Sequence, residues 1–150
     1  MEKAEIIKKT IVELLETMGF DGDVAVNGSD EKNILVNIET QHAGFLIGHT
    51  GTNLDALQHL ARVLVSKKSN ESVQFLLDVN SYRKYRIELL KELAKNIAKQ
   101  ALTEGVAVTL QPMPAYERRI IHLTLMDEPQ INTESIGEDP ERRIVVKAVK

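Results

Sequence analysis

The stretch GFLIGHTGTNLDALQHL, residues 44–60, interrupts an apolar run with Gly48 and Gly51 and then passes directly into a helical pattern. A simple reversal needs one glycine. Two of them flanking His49-Thr50, with an amphipathic run behind, mean that something approaches the main chain closely here, because glycine carries no Cβ. The amides at the start of the following helix have no intrahelical partner, and the helix dipole favours negative charge beside them. A Gly-x-x-Gly bend between two helices therefore suits a phosphodiester backbone. By itself such a tetrapeptide occurs often by chance and usually marks only a turn or close packing.

Working outward, the residues on either side read as alternating helices and strands. Upstream, Ile7, Ile11, Leu14 and Met18 recur at helical spacing and Gly19 supplies a stop. DVAVN and NILVNIET are β-favouring runs joined across Asn27-Gly28-Ser29-Asp30, a hairpin signal. Downstream, Leu54, Leu57, Ala61 and Leu64 form the buried stripe of a helix that frays at SKKSN. Val73, Phe75, Leu77 and Val79 then alternate along a strand. Asn80 or Ser81 is placed to cap a long helix reaching about Leu102, with Leu89, Leu93 and Ile97 on its buried face. GVAVTL reads as a strand stopped by QPMP, and Pro114 suits the first turn of the helix AYERRIIHLTLMD. INTESI and RRIVVKAV, either side of the turn GEDPE, complete an α+β chain whose boundary falls near Asn80.

Composition narrows the classes. The chain has 150 residues, 43% hydrophobic and 27% charged, which is enough for a core and a wet surface. No apolar run reaches membrane-spanning length. The amphipathic start does not read as a signal peptide. No cysteine is present, which removes disulfides and thiolate zinc sites and fits a reducing cytoplasm. Four histidines without close pairing leave no metal site or other cofactor to expect. The net charge of −3 divides into −5 for residues 1–80 and +2 for residues 81–150, so a polyanion contact rests on local groups rather than a general field.

The glycine segment has competitors that fail. No Gly-x-Gly-x-x-Gly follows a strand, and no Gly-Lys-Ser/Thr follows the glycines. In context, with Ile47 before Gly48, a helix after Gly51, and a helix and hairpin ahead, residues 1–80 resemble a type II KH domain of order αββααβ. That resemblance implies a clamp on single-stranded RNA through Ile47, Gly48, His49, Thr50 and Gly51. KH loops commonly carry a basic residue between the glycines, where this chain has His49-Thr50. A neutral imidazole and a hydroxyl can each donate, but neither is a standing cation near neutral pH. Weaker phosphate attraction, strengthening in mild acid, is the expected consequence.

In PAYERRIIHLTL, Arg118 and His122 lie four residues apart and so share a helix face, while Arg119 does not. A guanidinium fork and an imidazole donor on one face can hold a phosphate. Spacing alone favours a duller pairing, with the arginine tied to Glu117 or Glu141 and the histidine satisfied by backbone. Arg-x-x-x-His within MPAYERRIIH, followed by SIGEDPERRIVV, resembles the R-3-H domain, a module for single-stranded nucleic acid, over residues 81–150. The KH-like half followed by an R-3-H-like half is similar to the C-terminal two-thirds of the bacterial Jag (SpoIIIJ-associated) family, cytoplasmic RNA binders. Members usually begin with a further Jag N-terminal domain and a charged linker, and neither is expected here.

The resemblance makes Arg118 and His122 the second contact point. Strand alternation separates Arg142 from Arg143. Arg143 with Lys147 would extend a basic track beside Arg118, while Arg142 would hold the turn carrying Glu138 and Asp139. Aromatics are only 4% of residues, too few for a broad stacking platform. Tyr82, Tyr85 and Tyr116 could stack single bases, and RKYR at 83–86 alternates basic and aromatic character.

The expectation is thus a non-enzymatic binder of single-stranded RNA, with single-stranded DNA as an alternative ligand and a second KH-domain protein as a candidate partner. No small-molecule substrate is implied. Two other functions compete. One is a hydrolase using His122 as base and Arg118 as charge stabiliser. It lacks a partner acid, nucleophile or metal cage. The other is a protein-interaction adaptor using the acidic first half and the exposed strand of a KH fold.

Overall fold

The computed structural model describes residues 2–28 and 32–149, so Ser29 and Asp30 of the expected hairpin turn lie outside the described residues. The chain divides between Arg83 and Lys84 into two compact units, each with its own core.

In the first unit the order is α1 (Glu2–Met18), β1 (Asp23–Asn27), β2 (Leu35–Glu39), α2 (Ala43–Ile47), a single 3-10 turn (His49–Gly51), α3 (Thr52–Ser69) and β3 (Leu76–Val79). Strands β1 and β2 pair antiparallel from Asp23↔Glu39 to Asn27↔Leu35, and β3 joins β2 in parallel. Val36, Ile38, Leu77 and Val79 point to the buried face and meet the helices there. Helix α1 ends in a double reversal: Gly19 N–H donates to Glu16 O and Phe20 N–H to Leu15 O, with Gly19 at φ 81°. This is a glycine stop of the Schellman type.

The expected helix faces hold at Ile7, Ile11, Leu54, Leu57 and Ala61, all buried, and depart from the expectation only at their C-terminal ends. Leu15 and Val65 are buried, whereas Leu14 and Leu64 are partly exposed and Met18 is exposed. Helix α3 does not fray at SKKSN. It runs through Ser69 and stops at left-handed Asn70, with Lys67 and Lys68 in its last turn where the dipole favours cations. Lys68 Nζ donates to Glu13 Oε2 at 2.6 Å, and that hydrogen bond and charge hold the Glu13 carboxyl below its usual range.

In the second unit, α4 (Tyr82–Glu104), which starts in the first, leads to β4 (Val108–Thr109), α5 (Ala115–Leu125), β5 (Ile131–Ile136) and β6 (Arg143–Ala148), with sheet order β4-β6-β5. Neither Asn80 nor Ser81 caps α4 through its side chain. Both have positive φ, and the Arg83 amide donates instead to both carboxylate oxygens of Asp78, at 3.1 Å each. The Asn80 side chain instead bonds the main chain of Thr40 as donor and acceptor. The buried face of α4 is Leu90, Ala94, Ala98 and Ala101. Leu89 and Leu93 are exposed, and Ile97 packs partly against the core. Pro114 sits just ahead of α5 rather than in its first turn, and its carbonyl accepts the Glu117 and Arg118 amides.

Candidate nucleic-acid interface

The bend at 48–51 is built from unusual dihedrals. Gly48 adopts φ 71°, ψ −172°, a combination open essentially only to glycine. Thr50 (φ 52°, ψ 28°) and Gly51 (φ 82°, ψ 12°) are left-handed. Gly48 donates its amide to Gly44 O at 3.0 Å, closing α2. The close approach to Gly48 has an internal source as well: a Cβ there would lie 2.6 Å from Asn53 Cγ. Asn53 Nδ2 in turn donates to Phe45 O at 3.0 Å. Helix α3 begins at this bend without a side-chain cap. Gly51 is buried, Ile47, Gly48 and Thr50 are half-buried, and His49 is exposed. Phe45, one turn before the bend, is 73% exposed and stacks on Phe20 with ring centroids 6.1 Å apart.

From the bend, α3 runs beside the outer edge of β3. Between them lies a depression lined by Lys32, Asn33, Ile34, Leu35, Arg62, Gln74, Phe75 and Leu76, and it adjoins one bordered by His59, Val63, Ser66 and Lys67. The walls mix apolar side chains with cations, as unpaired bases on a phosphate thread require. The strand edge itself is occupied. Arg62 Nε donates to Phe75 O (2.8 Å), Gln58 Oε1 accepts from Leu77 N–H (2.9 Å), and Arg83 Nε donates to Leu77 O (2.8 Å). An added strand would have to displace all three, so this edge gives the adaptor function no free template.

In the second unit Arg118 and His122 share one face of α5, and that face is directed at β5. Arg118 is 9% exposed; its Nε donates to Met113 O (3.2 Å) and its Nη1 to Ser135 Oγ (3.3 Å), while Nη2 stands 3.8 Å from Asp139 Oδ1 on an exposed turn. Neither Glu117 nor Glu141 is its partner. Glu117, wholly buried, is held by Arg86 through two contacts of 2.8 and 3.0 Å, so Arg86 of the RKYR run has a structural role. His122 is exposed, and its Nδ1 meets Thr133 Oγ1.

The basic track does not form beside Arg118. In the β5–β6 register, Thr133 and Ser135 stand opposite the buried Val146 and Ile144, on the α5 side; Arg143 and Lys147 alternate onto the other face. There Arg143 contacts Glu141 and Lys147 contacts Glu134. Arg142 does hold the turn, donating to Gly137 O at 2.6 Å rather than to its acids. For the hydrolase reading, His122 faces a hydroxyl with no carboxylate relay. No cluster of three or more metal-ligating side chains occurs among the described residues.

Two family models match in tandem: the KH domain of KhpA/KhpB over residues 4–77 and the R-3-H domain over residues 88–148. A Clostridium symbiosum protein named RNA-binding protein KhpB is 37% identical over 150 residues, covering 97% of this chain and 68% of the relative. The chain belongs to the KhpB family. Its Bacillus subtilis relative of the same name is 33% identical over 148 residues, covering 97% of this chain and 69% of the relative. The Lactiplantibacillus plantarum KhpB is longer: 35% identity over 136 residues covers 91% of this chain but 42% of the relative. In this KhpB-family chain, the glycine bend and the Arg-His face were readable in the sequence. Asn53, Phe45, Thr133 and Ser135 were not singled out. Only the polar alternation of INTESI, which puts Thr133 and Ser135 on one strand face, could have flagged the last two.

Proposed function

We propose that this chain binds single-stranded RNA without chemistry of its own, residues 1–80 acting as a KH module and 81–150 as an R-3-H module. The observation that carries the reading is the bend at 48–51, partly exposed, with two left-handed residues and an uncapped helix start behind it. Phosphate would meet main-chain amides there, with the exposed His49 as side-chain donor, Thr50 donating only on release of its hydroxyl from His49 O, and Ile47 on the flank. Bases would follow α3 toward Phe75, with Phe45 available for stacking. On the second module, His122 would provide the phosphate contact, the buried and fully engaged Arg118 would add positive charge beside it, and Arg143, on the opposite sheet face, is an independent cation. The protein would act in the cytoplasm; no helix among the described residues is long and apolar enough to cross a membrane. Single-stranded DNA is the competing ligand, and a second KH-domain protein is a candidate partner.

The test is filter binding of single-stranded RNA to the parent and to His49→Asp/Thr50→Asp. Aspartate tolerates the left-handed region, so the fold should persist while two carboxylates repel the phosphates. Binding should weaken about tenfold or more with an unchanged circular dichroism spectrum. Parent-like affinity in the double variant removes the loop from the interface.

A further inference from the structure

The Arg118–His122 pair faces a matching pair of hydroxyls. Four helical residues advance about 6 Å and two strand residues about 6.7 Å. A helix lying against a strand can therefore set residues i and i+4 each against one of two alternate strand residues. Helix α5 does this with β5 in opposite sense: Arg118 meets Ser135, and His122 meets Thr133. Both hydroxyls lie on the sheet face that carries the buried Ile144 and Val146, so the core fixes the strand beneath them. Arg118 is buried and triply engaged, whereas His122 is exposed with Nδ1 engaged. The nitrogen left for a ligand is Nε2.

We propose that Thr133 and Ser135 are the positioning residues of the Arg-x-x-x-His face, with the Thr133 hydroxyl donating to His122 Nδ1 so that Nε2 carries the proton and presents it to a phosphate oxygen. Which nitrogen of a neutral imidazole bears the proton is set by the bond the other one makes. Without the hydroxyl the ring exchanges between two tautomers and rotates more freely, and only one tautomer can donate outward. Ser135 plays the parallel part for the guanidinium. The inference rests on the RNA-binding reading for its consequence, but its first readout needs no RNA.

Thr133→Val keeps the β-branched shape and removes the hydroxyl, and Thr133→Ser restores it. Ring ¹⁵N resonances of His122, recorded without RNA at mildly alkaline pH, report the tautomer, and affinity is measured for an oligouridine probe. The valine variant should move the ring resonances toward a tautomer mixture and weaken binding about three- to tenfold, the weight of one hydrogen bond, with serine restoring both. Unchanged ring resonances in the valine variant overturn the proposal. Shifted resonances with parent-like affinity overturn it too, since the orientation would then have no effect on RNA. If His122→Ala also binds like the parent, α5 leaves the interface altogether; the aspartate variant of the glycine loop then judges RNA binding separately.

Discussion

Thr50 is a β-branched residue held at φ 52°, where an L side chain is disfavoured by roughly 1–2 kcal/mol. Asparagine enters that region more readily and keeps a donor at the loop. Thr50→Asn should therefore stabilise the first unit by about 0.5–1 kcal/mol, seen as a higher urea midpoint at unchanged m-value. A lower midpoint would mean that the Thr50 hydroxyl bond to His49 O outweighs the strain. Gly48 is the opposite case. Its dihedrals exclude a side chain, and the space a Cβ needs is filled by Asn53 at 2.6–2.9 Å. Gly48→Ala must twist the bend and push Asn53 off Phe45 O, costing about 2–3 kcal/mol from strain and one hydrogen bond. Parent-like stability would show that the bend relaxes freely. This glycine is thus required by the chain's own packing.

At the scale of elements, periodicity made each helix and strand legible; the buried face held along β3 and most of α1 and α3 but slipped by one position in α4. In α4 both Leu89-Leu93 and Leu90-Ala94-Ala98-Ala101 recur at helical spacing. Reading by size picks the leucines, but the helix seats its small residues inward, where alanine allows close approach, and leaves two leucines at the rim. Tertiary fit decides between adjacent stripes, and one sequence does not contain it. The capping of α4 by Asp78 and the Arg86–Glu117 pair were equally hidden, the latter joining residues 31 apart. That pair allows a sharp test. Arg86→Met leaves a fully buried carboxylate without its partner and should cost about 3–5 kcal/mol. Adding Glu117→Leu removes the stranded charge and should recover most of the loss. If the single variant unfolds at the parent's midpoint, the bridge does not hold α4 to α5.

Across the whole molecule, the distribution of cations sets how binding responds to salt. Net charge is −3, and several basic groups near the surface are already engaged: Lys68 with Glu13, Arg143 with Glu141, Lys147 with Glu134, and Arg62 with a main-chain carbonyl. Main-chain amides, a hydroxyl and a neutral imidazole can grip phosphate without releasing a counterion, because they bring no charge of their own. Only cations contribute to the salt slope, about 0.7 per phosphate neutralised on a single strand. Two or three such contacts give a slope of log K against log salt of about −1.4 to −2.1. The aspartate variant of the glycine loop should lower affinity at every salt concentration, and the gap to the parent should narrow as salt screens the introduced repulsion. A slope steeper than about −4 would instead require six or more neutralised phosphates. A broad basic surface would then be the principal grip, and the amides around Gly48 and Gly51 would be secondary to it.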